Sequence, residues 1–269
     1  MISGVGLFGS WSRGDAVAGS DIDLLVVERQ GLSHECVERL ELDDLLVDLD
    51  YVPRRWVTVS LPPDIDQKLF EVLVLYDRDW SLTNAKDWMC RSYRKPERLG
   101  IRSEMYLVDA DIYLSRASSA LARDDFQSAL VFASVGLESI LKIVVEAGSL
   151  PFSISRFVHV LDESTRKLGC RQFFDAFIDV SRLASVSRRD VDRSFGLFKA
   201  VWDDVASLLQ EQASVLDSVH FKVKSQLNYY GNSSFLRGML IRSQGMVDSG
   251  EHVEACHYVR SVLIDILEN

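Results

Sequence analysis

Hydrophobic positions change their spacing partway along the chain. Up to about residue 85, apolar residues come in short leucine-rich and β-branched runs separated by polar stretches, which is the patterning of strands. Residues 4–8, 23–28, 45–52 and 71–76 read as strands on this basis, and 33–42, between the second and third, reads as a helix. Beyond residue 85 the spacing is helical throughout, interrupted at Gly100, 148–151, Gly169, Ser187, Gly231 and Gly250. A helix, a polar turn and a second helix are expected twice, with turns at 123–125 and 249–251, as two helical hairpins. The pattern therefore predicts an α+β chain: a small mixed-sheet domain over 1–85, then an all-α helical bundle over 86–269. No strand of the sheet is expected after residue 85.

Charge sharpens that boundary. The 269 residues carry 30 basic and 40 acidic side chains, for a formal net charge of −10. Residues 1–85 hold 16 of the acidic and only 7 of the basic ones, so the remainder is nearly balanced. Such acidity makes broad, charge-driven nucleic-acid binding an unlikely role, because gripping a phosphate backbone needs an excess of lysine and arginine. Cys36, Cys90, Cys170 and Cys256 lie far apart with no C-x-x-C pair, as in a reduced protein. No uninterrupted apolar run approaches the ~18 residues of a membrane span, and no signal-peptide pattern opens the sequence. A cytoplasmic location and no membrane partner are the expectation.

Two motifs overlap in the first 28 residues. Gly4-Val5-Gly6-Leu7-Phe8-Gly9, with Glu28 some way on, has the glycine spacing of a dinucleotide-binding turn. That turn needs a strand before its first glycine, and here the strand runs through the glycines themselves. The second motif is Leu7-Phe8-Gly9-Ser10-Trp11-Ser12-Arg13-Gly14, followed by Ser20-Asp21-Ile22-Asp23-Leu24-Leu25-Val26. A Gly-Ser turn at a helix start offers backbone N–H groups and a hydroxyl to phosphate oxygens. Asp21 and Asp23 alternate on a strand and so share a face, as carboxylates holding a hard divalent cation must. On the next strand Asp48 and Asp50 share a face by the same parity, and either supplies a third carboxylate.

This pairing of a Gly-Ser turn with Asp-x-Asp resembles the DNA polymerase β-like nucleotidyltransferase superfamily. It is most similar to the small, minimal or kanamycin nucleotidyltransferase-like branch, which carries a C-terminal helical domain. The resemblance implies transfer of a nucleoside monophosphate, AMP being expected, from a nucleoside triphosphate to a hydroxyl of a small molecule or protein, with release of pyrophosphate. It implies one or two Mg²⁺ ions and ATP as the donor. Gly9, Ser10 and Arg13 would then bind the nucleotide, and Asp21, Asp23 and Asp48 would be the metal-binding, catalytic carboxylates. It favours Asp48 over Asp50 as the third carboxylate, acting on the acceptor hydroxyl. The helical domain would shape the acceptor site and support a homodimer. A different class stays open: a non-catalytic nucleotide-binding module that regulates a partner protein.

Other polar groups read more plainly. Glu138 and Lys142 are spaced as a helical ion pair, although a glutamate of the helical domain serves as general base in some relatives. Lys86, Arg91, Arg94, Lys95, Arg98 and Arg102, with Trp88 and Tyr93, make a basic stretch that suits either a solvated helix face or a polyphosphate. His252, Glu254, Cys256 and His257 lack zinc-site spacing. Replacing Asp21 or Asp23 by asparagine is expected to raise stability in metal-free buffer by relieving repulsion.

Overall fold

The computed structural model describes residues 1–17, 19–28, 31–212 and 218–268. Five strands, β1 (Ile2–Phe8), β2 (Ile22–Glu28), β3 (Cys36–Leu42), β4 (Leu45–Pro53) and β5 (Leu73–Asp77), form one mixed sheet of order β3-β4-β2-β1-β5. Only β2 and β4 run parallel. The other neighbouring pairs are antiparallel. Around the sheet lie α1 (Gly9–Arg13), α2 (Arg54–Thr58), α3 (Asp66–Glu71) and α4 (Ser81–Ser92). Leu25, Val26 and Val27 are all buried, so the central strand β2 is covered on both faces.

The helix expected over 33–42 is a strand. Asp43 and Asp44 both take positive φ, 48° and 65°, and Leu42 pairs directly with Leu45 across them. A two-residue turn of that kind matches the right-handed twist of paired strands and closes a hairpin. Short polar side chains tolerate the left-handed conformation, so Asp-Asp here folds 36–42 back along β4.

By its internal contacts the chain forms two compact units, 1–91 with 188–269, and 92–187. The helical region expected as one domain over 86–269 is therefore divided. In the first unit, α9 (Arg188–Glu211), α10 (Phe221–Tyr230), α11 (Ser233–Asp248) and α12 (His252–Glu268) follow the sheet. Helices α10 and α11 pack against β3. Gly238 permits that approach: a Cβ there would lie 2.7 Å from Leu46 Cδ1 and 2.8 Å from Arg39 Nη1. On the hairpin face that holds Leu46 and Asp48, these late helices supply the cover, through Gly238 against Leu46 and Tyr229 on Asp48. Among the described residues, none after Asp77 adds a strand to the sheet.

The second unit is built on a long helical hairpin, α5 (Pro96–Leu121) against α6 (Phe126–Gly148), with α7 (Phe157–Leu168) and α8 (Gln172–Val180) alongside. The Asp125 carboxylate accepts from Ser128 N at 3.1 Å and caps α6. Both turns expected at 123–125 and 249–251 are present. Helix α6 is long and apolar enough to cross a membrane by length and composition, because its few polar residues are scattered. It packs along α5 and α7, with Leu141 and Val145 buried. Arg102 of the basic stretch is buried, donates to Glu146 Oε2 at 2.9 Å and stacks 4.0 Å from the Tyr93 ring centre, a structural role.

Candidate active site

Strand β1 ends where the Gly-Ser turn begins. Phe8 pairs with Asp23 across the β1–β2 ladder, so Gly9 arrives directly beside the Asp23 carboxylate. Gly9 has φ 72°, and a Cβ there would overlap Asp23 Oδ2. Both facts require glycine. Ser10 opens the one-turn helix α1. Ser12 Oγ donates to Gly9 O at 2.9 Å and steadies the turn. Trp11 is half-exposed, with its indole N–H 3.5 Å from Ser20 O. Arg13 is engaged, donating from Nη1 to Glu71 Oε2 of α3 at 2.6 Å, so the turn is tied to that helix by a partly buried ion pair.

The aspartates converge. Asp21 precedes β2, Asp23 lies on it, and the parallel register sets Asp23 opposite Asp48 of β4. One carboxylate oxygen from each of Asp21, Asp23 and Asp48 lies within 4.8 Å of the others. Two arginines enter this group. Arg39 stands opposite Asp48 on the β3–β4 hairpin. Its Nε donates to Asp48 Oδ1 at 2.6 Å, and its Nη2 to Asp48 Oδ2 at 2.5 Å and Asp21 Oδ2 at 2.7 Å. Arg242 of α11 donates to the remaining Asp21 oxygen, Oδ1. Tyr229 of α10 donates its hydroxyl to Asp48 Oδ2 at 3.1 Å. The Tyr229 and Phe235 rings flank the Arg39 guanidinium at 5.3 and 5.7 Å.

The electrostatics single out Asp23. Burial first, then the like charges of Asp21 and Asp48, push its carboxyl up to about 7 against the pull of Arg242 and Arg39. Burial also works against the charges of Arg39 and Arg242, yet Asp48 hydrogen bonds hold Arg39, and Tyr258 and Asp21 hold Arg242, more strongly protonated than usual. Desolvation and Asp48 keep the Tyr229 hydroxyl protonated well beyond its ordinary range. Three hard oxygen donors so close together suit a divalent cation. The donor chemistry fits, and the guanidinium groups on Asp21 and Asp48 stand in for such a cation.

Asp50 sits elsewhere. It is 2% exposed and, with Glu35, receives the Lys68 ammonium of α3. Burial pushes its carboxyl up to about 7, despite Lys68, and Glu35 adds to the effect. The sequence offers Asp50 as an alternative third carboxylate; in the structure it is an interior ion-pair member. Glu138 lies in the second unit and pairs with Lys142 at 3.8 Å. Arg39, Tyr229 and Arg242 escaped the sequence reading. Arg39 becomes visible once 36–42 is a strand, because a hairpin turning at Asp43-Asp44 sets it opposite Asp48. Tyr229 and Arg242 come from helices far along the chain and carry no local signal.

Residues 2–79 match the family model described as a nucleotidyltransferase domain. No match is found among curated proteins. Among solved structures the chain is similar to a nucleotidyltransferase-like protein from Exiguobacterium sibiricum 255-15, at 13% identity and a TM-score of 0.41, over 93% of this chain and 86% of that one. A likeness that loose carries no argument by itself. The family match falls on the segment that contains the Gly9-Ser10 turn and all three converging aspartates, a donor set able to hold a divalent metal. Residues 2–79 thus match a nucleotidyltransferase domain, in keeping with the superfamily that the motifs of this segment resemble.

Proposed function

We propose that this protein transfers AMP from ATP to a hydroxyl of a small-molecule or protein acceptor, with Mg²⁺ held by Asp21, Asp23 and Asp48. The observation that carries the reading is the convergence of those three carboxylates within 4.8 Å beside a glycine turn that abuts Asp23. Mg²⁺, when bound, supplies neutralisation of the polyphosphate and orients its oxygens. The chain's own groups do the rest. Gly9 lets the backbone approach phosphate without a Cβ in the way, and Ser10 offers a hydroxyl. Arg13 contributes positive charge at the turn. Arg39 holds the Asp48 carboxylate in place through a forked hydrogen bond, and Asp48 accepts the proton of the acceptor hydroxyl. A bond forms from the acceptor oxygen to the α-phosphorus, the α–β bridging P–O bond breaks, and pyrophosphate leaves.

The test is incubation with each α-labelled nucleoside triphosphate and Mg²⁺, with and without cell extract. Label in a macromolecule or a small product, lost in Asp23→Asn, supports the proposal. One observation favours a second reading: Asp21 and Asp48 already hold guanidinium groups, as in a nucleotide-binding module that works without metal and regulates a partner. Nucleotide binding in EDTA with no label transferred under any condition selects that reading.

A further inference from the structure

We propose that Arg242 is a latch on the carboxylate triad: it occupies the position a divalent cation must take on Asp21, so metal entry and the Arg242–Asp21 contact exclude each other. The inference rests on the metal-dependent reading above.

The two arginines are not equivalent. Arg39 belongs to the same hairpin as Asp48, makes both bonds of a fork to it, adds a third to Asp21, and is flanked by two aromatic rings. Forked pairs of this kind are the strong ones, and a β-ladder fixes the geometry. Arg242 reaches Asp21 from α11, with a single carboxylate contact, and its side chain is 26% exposed against 5% for Arg39. With Arg39 on Oδ2 and Arg242 on Oδ1, Asp21 has no oxygen free of a cation. Asp23 receives neither guanidinium directly among the described ion pairs. A divalent cation held by Asp21, Asp23 and Asp48 would therefore first have to displace the weaker-held arginine, Arg242. Its release would free one positive charge on α11 beside the site and remove that helix's ion pair with Asp21.

Mn²⁺ serves as the probe, with free ion counted by electron paramagnetic resonance on the full-length chain. Losing a charge-assisted competitor should tighten Mn²⁺ binding in Arg242→Gln by roughly tenfold to a hundredfold. Arg242→Lys, which keeps a charge but not the planar reach, should fall between. Asp23→Asn should abolish the binding in every background. Amide hydrogen exchange on the unmodified protein gives a readout that needs no variant: Mn²⁺ should speed exchange in 233–248. Equal Mn²⁺ affinity in wild type and Arg242→Gln, or unchanged or slower exchange in 233–248 on saturation, overturns the latch while leaving the metal reading intact. Absence of any Asp23-dependent Mn²⁺ binding in wild type and variants overturns both.

Discussion

Replacing Asp23 with asparagine should stabilise the metal-free protein, by an amount that grows with pH. The Asp23 carboxyl is raised on folding from 3.8 to about 7, by burial and then by Asp21 and Asp48. A raised carboxyl favours folding while protonated. Its contribution is fully present below the unfolded value near 3.8 and is lost as pH rises through about 7. At ~1.4 kcal/mol per pH unit, the ionised side chain costs the fold about 4 kcal/mol by pH 8. Asparagine has the shape of the protonated form and bears none of that cost. The gain over wild type should be small at pH 4 and rise to a few kcal/mol, roughly 4, at pH 8. Urea unfolding in EDTA at several pH values, followed by tryptophan fluorescence, measures it directly. Asp21→Asn and Asp48→Asn should do the opposite. Asp21→Asn takes from Arg242 its carboxylate partner and Asp48→Asn leaves Arg39 with Asp21 alone, so each should cost about 3–5 kcal/mol. The expectation from sequence that Asp21→Asn stabilises like Asp23→Asn gives way to the opposite sign at Asp21, because Arg39 and Arg242 hold that carboxylate. A pH-independent gain for Asp23→Asn, or the same sign for all three variants, refutes the reasoning.

Gly9→Ala should cost ~1–2 kcal/mol from its positive φ alone and more from overlap with Asp23, seen as a lower melting temperature together with lost nucleotide transfer. Lys68→Met leaves the buried Asp50 without its ammonium partner and should destabilise by about 3–5 kcal/mol in chemical unfolding. Arg13→Ala breaks the pair with Glu71 and should lose ~1–3 kcal/mol of stability as well as triphosphate affinity, so calorimetric nucleotide titration is to be read beside a melting curve.

Four of the sheet's five strands, the Gly-Ser turn and the Asp21–Asp23 pair were legible because each is local: alternation, turn chemistry and parity operate over a few residues. The helix misplaced over 33–42 had its answer two residues later, in an Asp-Asp turn whose positive φ values make a hairpin. With that turn read correctly, Arg39 opposite Asp48 follows from register alone. The division of the helical region was not legible. Helical periodicity shows that α9 to α12 bury one face each, but not that the face they cover belongs to β3 and β4. Gly238 is a single residue whose meaning appears only when Leu46 and Arg39 are seen beneath it. Arg242 likewise reads as one of several polar residues on its helix until Asp21 stands next to it.

Three carboxylates this close require positive charge in every state of the protein, whatever else occupies the site. Here that charge comes from two segments with different freedom. Arg39 is carried by the hairpin that also carries Asp48, so it moves only if the sheet does. Arg242 is carried by α11, whose hold on the triad is one ion pair, together with the packing around Gly238 and Tyr229 from its neighbour α10. The same helices that bury the acidic face thus neutralise it, and uncovering and ionic release are one event rather than two. Conversely, a cation that settles between Asp21 and Asp23 weakens the attachment of α11 to the sheet. Occupancy of the carboxylates and position of the late helices are therefore linked quantities: each measures the other, and a perturbation at Asp23 must register at Arg242.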